Sequence, residues 1–531
     1  VSRPLSDAEA EPLAALETVR PALSVPYTRA LPGARAAVLT RLWRALAHEP
    51  LPWITGRERA YDALVLRLAD GRRLHGPPSD PYATGDYVTE VRLDETPYDS
   101  PAALLTALGV PHGAAFAAEL DAGTASLALS RANREDWAAR ADRLDRTNRT
   151  DRAGRTAAGP SGAPPTPLWA WEQRVVDGHP FHPACRSRPG FSVAEQLAYG
   201  PEHRPVVRLG LASVDDCEVT GEWPATLRDG ARVLIPVHPW QRAHVLDRRS
   251  EVTDDGPVAH PLMSLRTLAL PDGGDGGPHV KTTLSARLTS SVRDISPYSV
   301  RTAAVVSALV SSVAARTDGL LHVTRTLGAV TTGSPDLAAV LREPPERYAG
   351  PGERVLPVAV LPATGLPRSP AWLADFTRLT LTVGLRLLDL GVALEAHGQN
   401  LLVVLDAATG APLRLVYRDL ADIRVAPARM ARHRLSAGQL TGRLVTGDPT
   451  VLRRKLFGSL VAGALAATAG SGAALGEALA AAVPDLPRTP DREVLDRAAL
   501  PAKALTLMRL TPERTGDLWT SLPNPLHEGV N

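Results

Sequence analysis

The chain has 531 residues, a formal net charge of +2 and 44% hydrophobic content. That is too long for one core, so two or three domains are expected. The near balance of charge gives no reason to expect a nucleic-acid or anionic-membrane partner, and no apolar run of about 18 residues predicts a membrane span.

Cys185 and Cys217 are the only cysteines. They exclude a disulfide framework and a Cys-based zinc site, and they fit a reducing cytoplasm. The first ten residues are polar and acidic, unlike a signal peptide. The basic residues are 56 arginines and three lysines, Lys281, Lys455 and Lys503. Under such a coding bias a surviving lysine marks a place where a compact ammonium is needed and a guanidinium fork does not fit. Lys281 and Lys503 are the candidates. Lys455, beside Arg453 and Arg454 on an expected helix, reads as a solvated surface residue.

In chain order, residues 1–160 read as mainly helical, with segments 34–47 and 130–144 as examples. Residues 153–167 are rich in Gly and Pro and read as a linker, which sets the first boundary. The next motif is His179-Pro180-Phe181-His182-Pro183, followed by Arg186 and Arg188. Each histidine precedes a proline, which moves it off helical geometry and argues against zinc. A loop that binds an anionic substrate, or a satisfied structural loop, are the two readings. Strand Arg232–Val237 then leads to His238-Pro239-Trp240-Gln241, with Trp240 as a core anchor.

Residues 262–270 and 280–289 read as a hairpin whose turn centres between Gly274 and Asp275. That register sets Leu268 opposite Lys281 and puts Ser264, Arg266, Lys281, Thr283, Ser285, Arg287 and Thr289 on one face. Leu265, Val280, Leu284, Ala286 and Leu288 form the core face. Cations with hydroxyls suit a polyphosphate; a solvated sheet face is the plain alternative. Residues 290–293 turn towards a helix with Ser296 as N-cap and Pro297 first.

Residues 372–394 carry apolar side chains at helical spacing and predict a long buried helix, weakened at Gly391. His397-Gly398-Gln399-Asn400 follows, then strand Leu401–Asp406, a turn, and a strand over 413–417. A turn centred between Thr409 and Gly410 places Asn400 opposite Asp419. Their hard oxygens can share one Mg²⁺, with Glu395 a short loop away; protein kinases hold Mg²⁺ on a nucleotide with a related Asn and Asp. A capped hairpin with solvated polar ends is the other reading.

Taken together, His179-Pro-Phe-His-Pro, His238-Pro-Trp-Gln, Ser264-Leu-Arg-Thr267, Lys281 with residues 289–293, His397-Gly-Gln-Asn400, Arg418-Asp419, and Pro501-Ala-Lys503 with Asn524-Pro525 form an ordered set. From residue 165 onward the chain resembles the NRPS-independent siderophore synthetases, the IucA/IucC family. The resemblance implies an α+β fold shaped like a cupped hand, with a helical thumb (1–165), antiparallel-sheet fingers (166–345) and a mainly helical palm (346–531). It implies ATP and Mg²⁺ as cofactors, a cytoplasmic homodimer, and small carboxylate and amine or hydroxylamine substrates. A carboxylate (citrate, a citrate derivative or a succinyl-hydroxamate) is adenylated with loss of pyrophosphate, then captured by an amine, hydroxylamine or alcohol with loss of AMP.

By motif, the resemblance assigns Ser264, Arg266, Thr267, Lys281, Arg293, His397, Gln399, Asn400 and Asp419 to ATP. It assigns His182, Thr289, Arg293, His397 and Lys503 to the carboxylate, and Glu395, Asn400 and Asp419 to the metal. Lys281, Arg293 and His397 are the catalytic group. Arg186 stands where the family often has lysine. Thr267 faces away from Arg266 in the simple register, so its role calls for a bulge or a backbone contact. Two other classes remain: a phosphotransferase, which would release ADP, and a non-catalytic ligand-binding member of the same fold.

Overall fold

The computed structural model describes residues 3–152, 166–246, 252–271, 276–288, 291–438 and 440–527. The linker expected over 153–167 therefore falls mostly outside the described residues, as does Thr289.

The N-terminal region is built around helix Ser24–His48, whose side chains from Tyr27 to Ala47 are almost all buried, including Arg35, Arg41 and Arg44. It packs against the long helix Gly113–Arg152. Helices make up most of this region, as expected, but they are joined by a sheet that the sequence did not announce. Residues 54–98 form a five-stranded antiparallel sheet in simple chain order. Its first strand, Ile54–Arg59, alternates weakly and lies mostly exposed, so it gave little period-2 signal. The core of this region also takes in Ala504, Leu507 and Leu510 from the far end of the chain. The carboxylate of Glu49, buried at the end of the 24–48 helix, accepts from Thr506 N (3.1 Å) and Leu507 N (2.7 Å).

The middle region is a seven-stranded antiparallel sheet. Its order is Val207–Arg208, Val258–Pro261, Thr267–Ala269, His279–Thr282, Ala338–Arg342, Thr326–Thr331, Glu218–Gly221. The predicted 262–270/280–289 hairpin is present but slipped by one residue: Thr267, not Leu268, faces Lys281. Because side chains alternate, the slip exchanges faces. Thr267 thus joins Lys281, and Leu268 joins Val280 in the core, which removes the difficulty over Thr267. The second strand is also two strands broken at Thr283. Leu284–Leu288 leaves the sheet to pair with Ser291–Arg293, where a turn was expected. Leu265, Leu284, Ala286 and Leu288 pack with Phe191 and Trp240 in a separate small core. Thr283 and Ser285 do not join a polar ligand face. Thr283 Oγ donates to Ala338 O, and Ser285 is held by Gln241 and Asp336.

Helix Pro297–Ala314 starts as expected, with Ser296 Oγ accepting from Ser299 N. The C-terminal region carries the largest core, where helix Pro370–Asp389 packs on helix Gly472–Ala482. The 370–389 helix stops short of the expected 394. Gly391 takes φ +88°, where a Cβ would lie 2.8 Å from Ala426 O, and Val392–Ala393 is a strand paired with Arg424–Val425. A four-stranded sheet (321–323, 412–417, 401–406, 353–357) lies beside these helices, its first pair parallel. Among the described residues no single helix is long and apolar enough to cross a membrane.

Candidate active site

A cleft opens where the seven-stranded sheet meets the 401–417 hairpin. The sheet supplies Ser264, Thr267, His279 and Arg342, and the hairpin end supplies Gln399, Asn400, Arg418 and Asp419.

The hairpin register differs from the expected one. Leu401 faces Tyr417 and a bulge falls between Val404 and Leu405; beyond it Leu405 faces Pro412, so the turn centres between Ala408 and Thr409. Asn400 therefore faces Arg418, whose N–H donates to Asn400 O at 3.0 Å, and not Asp419. Asp419 comes one residue later in a left-handed conformation, φ +71°. An Asp tolerates this region better than most residues, and the reversal takes its carboxylate out of the ladder. Lys281 Nζ lies 3.0 and 2.8 Å from its two oxygens, and Arg342 Nη2 lies 2.9 Å from Oδ1. Burial alone would raise the Asp419 pKa, but Arg342 and Lys281 hold it well below the usual carboxylate range. Burial pushes Lys281 down to about 7, only partly opposed by Asp419.

Arg266 donates through Nη1 to the carbonyls of Arg293 and Asp294, so it braces the backbone that presents Arg293. Arg293 itself donates to Leu288 O at 3.1 Å. It feels the charges of both Asp419 and Glu395, and burial is the main reason its pKa falls. Ser264 Oγ accepts from Thr267 N at 3.1 Å and closes the turn. Arg418 fixes the Gln399 carbonyl with two donors and pairs with buried Glu172 at 2.6 Å.

His397 Nδ1 accepts from Gln399 N at 3.3 Å. Burial lowers its pKa, so the ring is neutral, and the charges around it are Glu395, Lys503, Asp419 and Lys455. It therefore lies between two ion-pair clusters. The second is centred on Glu395, whose Oε1 is 2.8 Å from Lys503 Nζ and 3.0 Å from Lys455 Nζ. Lys503 is also 3.1 Å from Asp517, and Lys455 also meets Asp422. Burial opposes the charge on Lys503, but Glu395 and Asp517 outweigh it and hold the pKa above the usual lysine value. Burial would raise Glu395, but Lys503 and Lys455 hold it down.

Of the expected metal set, Asn400 and Asp419 share the cleft wall, whereas the Glu395 carboxylate is held by two lysines on the other cluster. Lys503 lies on a strand, Leu500–Lys503, paired with Trp519–Leu522, and its charge is felt at His397. Lys455 is not at the surface: it is 3% exposed. His182 is buried, with Nδ1 accepting from Ala184 N and Nε2 without a partner, and the nearest charges include Arg509, Arg41 and Arg293. Arg186 and Arg188 do not await an anionic substrate, because both pair with buried Glu202. Asn524 is likewise occupied, donating to Leu495 O and Ala498 O.

Sequence reasoning missed Arg342. It reaches Asp419 only because strand Ala338–Arg342 pairs with His279–Thr282, a non-local neighbour with no local signal. The signal for Lys455 was present in the rarity of lysine, and its arginine neighbours hid it.

Residues 167–363 match the IucA / IucC family, and residues 370–518 match a family described as Ferric iron reductase FhuF-like transporter. The latter stretch contains no cysteine, so thiolate ligation is not available to it. Among curated relatives, the citryl-spermidine/3,4-dihydroxybenzoyl-citryl-spermidine:spermidine ligase of Bacillus anthracis is 26% identical over 314 residues, 47% of this chain and 50% of the relative. Staphyloferrin A synthase of Staphylococcus aureus is 23% identical over 335 residues, 52% of this chain and 56% of the relative. The chain thus spans about half the length of the curated relatives it matches. The crystal structure of the petrobactin biosynthesis protein AsbB from Bacillus anthracis superposes with a TM-score of 0.72 at 18% identity, covering 99% of this chain and 98% of that one. ATP-bound aerobactin synthetase IucA from Klebsiella pneumoniae gives 0.68 at 19% identity, covering 93% and 99%. At that identity the likeness establishes the α+β fold. Residues 167–363 carry the domain of the IucA / IucC family.

Proposed function

We propose that the chain is an ATP-dependent siderophore synthetase of the NRPS-independent type. It adenylates a carboxylate, condenses it with an amine, hydroxylamine or alcohol, and releases AMP and pyrophosphate. The observation that carries this reading is the surplus of cations at the cleft. Lys281, Arg342, Arg266 and Arg293 all lie within electrostatic reach of the carboxylate of Asp419. The relatives' names support it, since they are ligases and synthetases of citrate-based products, and so does the ATP-bound relative of the same fold.

The chemistry requires such a cluster. A carboxylate oxygen attacks the α-phosphorus, the bond to the bridging oxygen breaks, and pyrophosphate leaves with the electron pair. Cations positioned beforehand neutralise the crowded anions and the charge on the leaving group. Lys281 and Arg342 turn from Asp419 to the phosphates, and Ser264 and Thr267 add hydrogen bonds. Asn400 and Asp419 fit an Mg²⁺ ion that arrives with the nucleotide, since Mg²⁺ takes one or two protein ligands beside phosphate oxygens; Glu395 does not fit that set. Bound there, Mg²⁺ supplies charge neutralisation on the phosphates. Lys503 and Arg293, with the unpartnered His182 Nε2, receive the substrate carboxylates. In the second step the amine nitrogen attacks the acyl carbon, AMP leaves with the bonding pair, and the proton the amine loses passes to solvent.

The division at about residues 165 and 345 is part of the same reading. So are a cytoplasmic setting, which two free cysteines suit, and a homodimer, which sedimentation of the purified chain checks. The decisive experiment is a carboxylate panel (citrate, a citrate monoamide, a succinylated hydroxamate) assayed with and without diamines and hydroxylamines. Carboxylate-dependent pyrophosphate and AMP support the reading. ADP as product, or no binding of ATP with Mg²⁺, overturns it.

A further inference from the structure

One of the three lysines has no place in the chemistry above. Lys455 lies on helix Pro449–Ser459 and is 3% exposed. Its ammonium lies 3.0 Å from Glu395 Oε1, the same oxygen that Lys503 reaches at 2.8 Å. One carboxylate oxygen therefore serves two ammonium groups. One turn further along, Ser459 Oγ accepts from Ala396 N at 2.9 Å, so the helix grips both the side chain of Glu395 and the backbone beside it. On its other side Lys455 meets Asp422, which Arg424 also holds at 2.6 Å.

The sharing has an electrostatic consequence. One unit of negative charge placed between two cations neutralises each only in part. Asp517, the remaining partner of Lys503, has a side chain 27% exposed and is screened by water. Without Lys455, Glu395 would pair with Lys503 alone, and an incoming carboxylate would have to displace a full charge already in contact. We infer that Lys455 is a positioning residue that divides the charge of Glu395 and so keeps Lys503 open to a substrate carboxylate. The inference rests on the reading of Lys503 as the carboxylate contact.

The test uses the scarcity of lysine. Protein labelled with ¹³C-lysine gives three ε-carbon signals, one per lysine. The probe is the carboxylate of the panel that supports pyrophosphate release, or citrate where none does. In the unaltered protein the Lys503 signal should move saturably. Lys455→Met should raise the apparent Kd about tenfold. Lys455→Met/Glu395→Gln should return to within about threefold of the starting value, because the competing charge is gone. Glu395→Gln alone, which leaves the core intact should the lysine variant fail to fold, should bind at least as tightly as the unaltered protein. A purely structural anchor gives the opposite: Glu395→Gln weakens binding and the double variant is worse than either single one. That result, an unmoved Lys503 signal, or Lys455→Met binding as tightly as before, overturns the inference. Pyrophosphate release is scored separately. Release with a motionless Lys503 signal overturns this inference alone, whereas no release with any carboxylate overturns the functional reading.

Discussion

Asp419 and Glu395 each hold two cations, yet their surroundings differ. Around Asp419 the cations are in excess: Lys281 and Arg342 touch it, Arg266 and Arg293 stand close, and Asp294, the other acid that Arg266 feels, is exposed. Around Glu395 the charges balance, with Lys455, Lys503 and Arg424 set against Glu395, Asp422 and Asp517. An excess of buried cations is costly unless an anion arrives, which makes the first cluster a receiver of several negative charges. A balanced cluster gains little from a polyanion, but it can exchange one carboxylate for another. On the function proposed above, the difference would separate a phosphate end of the site from a carboxylate end.

The largest effect should come from removing the acid at the cation-rich end. Asp419→Ala leaves Lys281 and Arg342 facing each other. We expect pyrophosphate release to fall at least about a hundredfold and stability by about 3–5 kcal/mol, the scale of a broken buried pair. A thermal midpoint and activity both near those of the unaltered protein would show that the cations do not depend on Asp419. At the balanced end, Lys503→Ala removes one charge-assisted bond to substrate, worth about 1.5–3 kcal/mol, or roughly ten- to a hundredfold. KM for the carboxylate should rise by that factor, with KM for ATP nearly unchanged, and Lys503→Arg should recover only part. A rise in the ATP KM instead would move Lys503 to the phosphate end.

Lys281→Ala and Arg293→Ala should each lower adenylation roughly tenfold, with the fold intact. Full activity in either one removes that residue from the reacting group. The smallest effect is a pH dependence. Burial pushes Lys281 down to about 7, so its charged form is lost as pH rises through that value in the free protein. Since kcat/KM reports the free enzyme, kcat/KM for ATP should decline above about pH 7, and Lys281→Arg, which keeps its charge, should remove the decline. A flat profile in the unaltered protein would mean that Asp419 holds Lys281 protonated throughout.

Both hairpins were legible from alternation and turn composition, and both were misread by one residue. In the second hairpin the turn centres between Ala408 and Thr409, where Asp406 Oδ1 gathers Ala408 N and Thr409 N, and the bulge at Val404/Leu405 leaves the open end one residue out of the expected register. Composition marks such a loop without giving its centre. The small error had large consequences, because a one-residue slip exchanges faces and opposed Asn400 to the wrong residue. Motif order singled out His397-Gly-Gln-Asn400 and Lys281; Gln399 and Asn400 line the cleft, and Lys281 pairs with Asp419 there. It gave no hint of Arg342, since nothing local says which strand lies beside 279–282. It also missed that Arg186 and Arg188 are consumed by Glu202, because a buried acid far along the chain is invisible to a local reading. The five-stranded sheet at 54–98 was missed for a different reason: its strands are three to six residues long and partly exposed.

The seat of Glu49 also bears on the order in which the protein can be made. That carboxylate caps residues 457 and 458 positions further along, and Ala504, Leu507 and Leu510 fill the core around Trp43. The part of the chain around the 24–48 helix is thus completed by one that leaves the ribosome 457 residues later. At about 5–20 residues per second the interval is on the order of tens of seconds. Throughout it the hollow beside the 24–48 helix stays open, so nascent chains cut short of residue 504 should be held by chaperones or digested, and resistance to protease should come late and all at once.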